Sequence, residues 1–198
     1  LKIFVGTNTD FKHYFDEIKS DESKMEDHVG ATQTIEEKRK IGRIVINIAN
    51  TCNLKCTYCY AKQGDYGVNR TVMNRETAQR VIDELNRDYD SIGTINFFGG
   101  EPSLNSETIQ SFCNNETLAN KVKQFGMTTN GTFLPESLIS VIKDFHFKVC
   151  VSLDGPEEIN DELRGRGVFN KVAANLAIMN LPIQQLSIET TYTLLHLQ

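Results

Sequence analysis

"RIVINIANTCNLKCTYCYAKQGDYG", residues 43–67, runs from a β-branched stretch straight into three cysteines, Cys52, Cys56 and Cys59, at C-x3-C-x2-C spacing. A short apolar run rich in Val and Ile reads as a buried strand, and the Asn-, Gly- and Tyr-rich residues after it read as a loop. Three of the five thiols of the chain therefore sit on the loop that leaves one strand. Thiolate sulfur is a metal ligand, and three alternatives compete for it. A structural zinc ion takes four protein ligands, yet no fourth cysteine and none of His13, His28, His146 and His196 stands at finger-like spacing. Cys56 and Cys59 alone form the C-x2-C pair of a redox dithiol. An iron-sulfur cluster commonly takes four cysteines, so three would leave one iron of a four-iron cluster open. An open iron is a place to bind and reduce a ligand.

Downstream of this loop, β-branched runs alternate with helical patterns. Residues 94–100 (TINFFGG), 126–130 (GMTTN), 147–154 (FKVCVSLD) and 186–193 (LSIETTYT) read as strands. Between them, Ala78, Val81, Ile82 and Leu85 mark one helix capped by Asn74, and Ile109, Phe112 and Cys113 mark a second. Pro135 suits the first turn of a third, with Leu138, Ile142 and Phe145 on its inner face. A fourth carries Phe169, Val172, Ala173, Leu176 and Met179. This alternation predicts βαβ units with right-handed crossovers and a parallel sheet. The strands end in polar or glycine-rich tips, "ANTCN", "GGEP", "TNGT" and "SLDG". Ligands bind at the carboxyl ends of strands in parallel α/β folds, so these tips point to one shared site. Cys113, on a helix face, and Cys150, inside a strand, read as small core residues, and Asp154 reads as a loop residue.

The first forty-two residues have a different character. Phe11, Tyr14, Phe15 and Ile18 recur at helical spacing, and the charged stretches "SDESKMED" and "EEKRK" read as a solvated connector. Residues 1–42 are accordingly expected to be an accessory segment and residues 43–198 the core. A length of 198 residues, 39% of them apolar, suits one domain with a small appendage. A net charge of -5 argues against nucleic acid and anionic membranes as partners, since phosphate recognition needs a concentrated basic face. No apolar run is long enough to span a bilayer and no signal sequence begins at residue 1, so a cytoplasmic location is expected.

C-x3-C-x2-C with an aromatic before its last cysteine, joined to Gly99-Gly100-Glu101-Pro102 and to the TNG and SLDG tips in that order, resembles the radical S-adenosylmethionine (SAM) enzymes. The resemblance covers roughly residues 43–198 and implies a partial (β/α)6 barrel of the TIM type, truncated here after its fifth strand. It also implies that Cys52, Cys56 and Cys59 hold a [4Fe-4S] cluster whose fourth iron is chelated by the methionine end of SAM. By the same resemblance Gly99 and Gly100 let backbone approach the methionine, and Glu101 accepts from its ammonium or fixes the turn. Asn130 and Ser152 match positions that contact ribose or methionine, Arg164 matches an arginine that pairs with the SAM carboxylate, and Tyr58 lies against the adenine.

"YAKQGDYG" after the third cysteine and "ETTYTLLH" at the fifth strand look like the thioether-forming maturases of ribosomal peptides, of the ranthipeptide and six-cysteine type. That resemblance implies a 5'-deoxyadenosyl radical that abstracts hydrogen from a precursor peptide, a thioether closed on the resulting carbon, and an electron donor such as flavodoxin or ferredoxin. Such enzymes usually carry a leader-binding module and a cysteine-rich domain with auxiliary clusters. "ELRGRGVF" is shorter than the loop expected there. The alternatives are a sulfatase-maturing type of peptidyl oxidase and a non-catalytic SAM- or zinc-binding module.

Overall fold

A computed structural model describes residues 39–193. The helix expected around Phe11 to Ile18 and the charged connector lie outside the described residues, as does His196.

The first strand, β1 (Lys40–Asn50), buries Ile46 and Ile48 and exposes Val45 and Asn47, the alternation of a strand with one covered face. A two-residue strand, β2 (Thr71–Val72), pairs antiparallel with Ala49 and Asn50 at its end. Helix α1 (Arg75–Asp88) follows and starts as its sequence dictates, with Asn74 Oδ1 accepting from the Thr77 N–H at 2.8 Å. Asn74→Ala is expected to lower the unfolding free energy by about 1 kcal/mol, read as a shifted urea midpoint at unchanged slope.

Four more strands run parallel to β1, namely β3 (Ser91–Gly99), β4 (Val122–Thr129), β5 (Lys148–Ser152) and β6 (Leu186–Glu189). The sheet order β2-β1-β3-β4-β5-β6 is sequential from β3 onward, each step crossing over through helix. The crossovers are α2 (Ser106–Cys113) with the single turn α3 (Glu116–Ala119), then α4 (Glu136–Asp144), and finally α5 (Glu157–Arg164) with α6 (Val168–Met179). This is the expected α/β half-barrel, with five parallel strands where five were read. Helix α4 begins one residue later than expected, because Pro135 is its N-cap in extended conformation rather than its first turn.

The core lies between the helices and one face of the sheet. Phe97 on β3 is fully buried, edge-on to Phe112 of α2 with centroids 5.5 Å apart, and stacked with Phe147 at 6.1 Å. Leu138 and Ile142 of α4 and Val168, Val172 and Met179 of α6 complete it, together with Val149 and Val151 of β5. Ala173, one of the residues that mark α6 in the sequence, is exposed, and Phe145, expected on the inner face of α4, closes its end half-buried while Ile139 is buried. The opposite face of the sheet keeps the polar alternates, among them Cys150, between the buried valines of β5, and Ser152 after them. Among the described residues no helix is long and apolar enough to cross a membrane.

Candidate functional site

The carboxyl ends of the parallel strands open into one cleft of about 470 Å³, lined by Cys52, Cys56, Tyr58, Cys59, Gly99, Gly100, Glu101, Asn130, Ser152 and Arg164. Every residue singled out from the sequence as a metal or cofactor ligand therefore lines the same space. Its volume lies within the range of small-molecule sites.

The cysteine loop reaches this position by backbone contact. Gly64, at a φ of +92°, packs so tightly that a Cβ there would stand 2.6 Å from Cys52 Cβ. A Cβ on Gly100 would stand 2.3 Å from the Thr51 carbonyl oxygen and 2.7 Å from that of Gly64. The Gly100 and Glu101 N–H groups donate to the Ala49 and Thr51 carbonyls at 2.7 and 2.8 Å, continuing β1 pairing around the turn. Gly100 thus brings the cysteine loop close to its strand tip, at the wall of the cleft.

All three thiols of the loop are free and half-buried. Burial pushes the Cys52 and Cys56 thiols up; Glu101 and Cys59 add to the rise at Cys52, and Cys52 and Cys59 to that at Cys56, which Arg164 opposes. The Cys52 sulfur accepts from the Leu54 N–H at 3.4 Å and from Asn130 Nδ2 at 3.6 Å. Among the described residues no three His, Cys, Asp or Glu side chains are placed to share one metal ion. Three cysteines lining one cleft fit a cluster that takes one thiolate per iron and leaves its remaining iron to another ligand, whereas a structural zinc takes four protein ligands.

Glu101 is 1% exposed, and both its oxygens are engaged. Oε1 accepts from the Ser103 N–H at 3.0 Å and the Thr129 hydroxyl at 2.7 Å, and Oε2 from the Asn130 N–H at 2.7 Å. Burial raises its carboxyl above the ordinary range against the pull of these donors. Of the two roles the resemblance implied, the geometry is that of the turn-fixing one: Glu101 ties the tip of β3 to that of β4. Asn130 then passes the connection on, its Nδ2 donating to Asn53 Oδ1 at 2.8 Å within the cysteine loop.

Arg164, which by resemblance pairs with the SAM carboxylate, already has a buried partner within the protein. Arg164, 7% exposed, forms a two-point pair with Asp154 through Nε at 2.7 Å and Nη2 at 3.0 Å. Tyr58 donates its hydroxyl to Asp154 Oδ2 at 2.5 Å, and the Arg164 guanidinium lies 5.5 Å from the Tyr58 ring centre. Asp154, read from the sequence as a loop residue, is fully buried at the centre of this cluster. Burial alone would raise its pKa, but hydrogen bonds from Arg164, Tyr58 and the Thr191 N–H outweigh that and hold it below the ordinary carboxylate range. A depressed folded-state pKa stabilises above the unfolded value, so this contribution is complete near neutrality and fades as pH falls below about 4 through the folded value. In acid titrations of stability, Asp154→Asn is expected to remove that portion of the slope.

Cys113 is buried beside Ile109 and Phe112 as expected. Cys150 is not a core residue: it is half-exposed on the polar face of β5, its thiol 3.4 Å from Glu189 Oε2. Glu189 and Thr191, which fall within the ETTYTLLH stretch but were given no site role from the sequence, line the cleft as well.

Three free thiols on a loop seated against glycine tips, above a parallel half-barrel with a nucleotide-sized cleft, define a protein built to hold an iron-sulfur cluster beside a small polar ligand. The chain belongs to the radical SAM superfamily, whose family model matches residues 46–182. An uncharacterised protein of Methanocaldococcus jannaschii is 39% identical over 124 residues, covering 61% of this chain and 41% of its own length. A cysteine-type anaerobic sulfatase-maturating enzyme of Clostridium novyi is 28% identical over 155 residues, 72% of this chain and 41% of the relative. The Fe-coproporphyrin III synthase of Methanosarcina barkeri is 31% identical over 164 residues, 79% of this chain and 37% of the relative. This chain thus spans about two fifths of the length of these curated relatives. Among solved structures, native anSMEcpe with bound AdoMet superposes with a TM-score of 0.60 at 24% identity, covering 74% of this chain and 42% of that one. Streptococcus suis SuiB bound to its precursor peptide SuiA gives 0.56 at 19%, covering 93% and 46%. These structural likenesses establish the fold, and membership of the family implies a [4Fe-4S] cluster and SAM as cofactors.

Proposed function

We propose that this chain is the core of a radical SAM enzyme that modifies a precursor peptide, with a thioether crosslink as the product. The observation that carries the reading is the convergence of Cys52, Cys56 and Cys59 with the Gly-Gly-Glu tip and Arg164 on one cleft. When bound, the cluster and SAM supply a one-electron cleavage whose 5'-deoxyadenosyl radical abstracts hydrogen, the electron coming from a donor such as flavodoxin or ferredoxin.

The chain's own residues hold, orient and shield. Cys52, Cys56 and Cys59 would ligate the cluster, and Asn130 Nδ2 donates toward the Cys52 sulfur, a contact of the kind that tunes a cluster's potential. Asp154 takes Nε and Nη2 of Arg164 and so holds at the cleft the guanidinium that would meet the SAM carboxylate. Ser152 and the backbone of Gly99 and Gly100 border the space left for ribose and methionine, and Tyr58 walls it beside the cysteines. A peptide is favoured as substrate because the relatives include a sulfatase-maturating enzyme and a fold neighbour that binds a precursor peptide. The similarity to the sulfatase-maturating enzyme also supports a second reading, in which a cysteine or serine side chain of the peptide becomes an aldehyde.

Anaerobic reconstitution with iron and sulfide is expected to give one four-iron cluster per chain, with an electron spin resonance spectrum altered by SAM. Stoichiometric zinc without a cluster would overturn the reading. Mass spectrometry of the treated peptide separates the two products, since a crosslink removes two hydrogens and joins residues whereas an aldehyde forms on one side chain.

A further inference from the structure

Asp154 stands where separate parts of the cleft meet, and neither cluster ligation nor ligand contact gives it a role. Its carboxylate accepts from Tyr58 of the cysteine loop, from Arg164 at the end of α5, and from the Thr191 N–H beyond β6 at 2.9 Å. Its own N–H donates to the Asn160 side chain at 3.1 Å. The loop and α5 are joined a second time, by the Thr57 N–H donating to the Leu163 carbonyl at 2.9 Å. A carboxylate with no exposed surface is costly to bury, and an apolar replacement for a buried ion pair is often no less stable, so folding alone does not call for this arrangement. What it supplies is geometry. The grip on Nε and Nη2 fixes the guanidinium plane of a residue that lines the cleft. The same carboxylate anchors the Tyr58 hydroxyl one residue before Cys59.

We propose that Asp154 is the positioning residue of the cleft, a single carboxylate that fixes the cysteine loop through Tyr58 and orients Arg164 toward a carboxylate-bearing ligand, so that metal retention and ligand binding share one anchor. This rests on the reading of the cleft as a cluster and SAM site. The cluster-loaded chain would be compared in four forms, wild type, Asp154→Asn, Tyr58→Phe and Arg164→Lys, for the rate of iron loss to a chelator and for SAM affinity by equilibrium dialysis. Loss of a charge-assisted hydrogen bond corresponds to about tenfold or more in an equilibrium constant. Asp154→Asn is expected to shed iron faster and bind SAM more weakly, each by about that factor. Tyr58→Phe should reproduce the first effect alone and Arg164→Lys the second alone, each variant being compared well below its own melting temperature. Two separable effects joined in one residue are not what a merely structural role produces. The role of Asp154 is overturned if Asp154→Asn matches a cluster-loaded, SAM-binding wild type in both measurements, or if Tyr58→Phe and Arg164→Lys are both silent. A wild type that takes up neither cluster nor SAM overturns the underlying reading, and this role with it.

Discussion

Cys56→Ala is expected to reduce the reconstituted cluster from one per chain to essentially none, while the fold survives. The side chain is half-buried on a loop whose path is set by backbone contacts at Gly64 and Gly100, not by the thiol. Removing the sulfur therefore takes away a ligand and little packing. With two thiolates left, the loop cannot hold a cluster that already relies on a non-protein ligand at one iron. Iron and sulfide analysis with the visible absorbance of the brown protein measures the loss, and circular dichroism checks that the α/β content is unchanged. Iron content equal to wild type would remove Cys56 from the ligand set.

The largest loss of stability is expected at Glu101, in the Glu101→Leu variant. Leucine is close in volume, so the change mainly withdraws an acceptor from three donors, the Ser103 and Asn130 N–H groups and the Thr129 hydroxyl. A buried donor left without a partner costs about 1–3 kcal/mol, so the sum is about 3 kcal/mol or more. Urea unfolding should show it as a lower midpoint. Were Glu101 chiefly a ligand acceptor, stability of the ligand-free protein would hardly change while SAM affinity fell.

Much of this architecture could be read in the residues themselves. The strands came from β-branched runs ending in polar tips, and Asn74 announced its helix because a cap acts locally, between neighbours in the chain. Three features escaped for physical reasons. Strand β2 is two residues long and has no period to detect. Helix α5 buries Asn160, Leu163 and Arg164, so it lacks an apolar stripe and its sequence, EEINDELR, looks like solvated loop. Asp154 sits in "SLDGP", a turn by composition, and its partners Tyr58, Arg164 and Thr191 are brought to it by the topology of the sheet. Local patterns disclose what neighbours in the chain decide, and a buried charge is decided by residues far away in it.

The two faces of the sheet answer to different demands. Phe97, Val149 and Val151 are locked among helices, whereas Asn47, Cys150, Ser152 and Glu189 lie on the opposite side, Ser152 and Glu189 bordering the cleft. Substitutions on that second side leave the interior packing untouched and alter only what can rest against it. Descent from a common ancestor can thus change the molecule acted upon without first repairing the scaffold, a freedom in keeping with kin as unlike in their chemistry as a sulfatase-maturating enzyme and a porphyrin synthase.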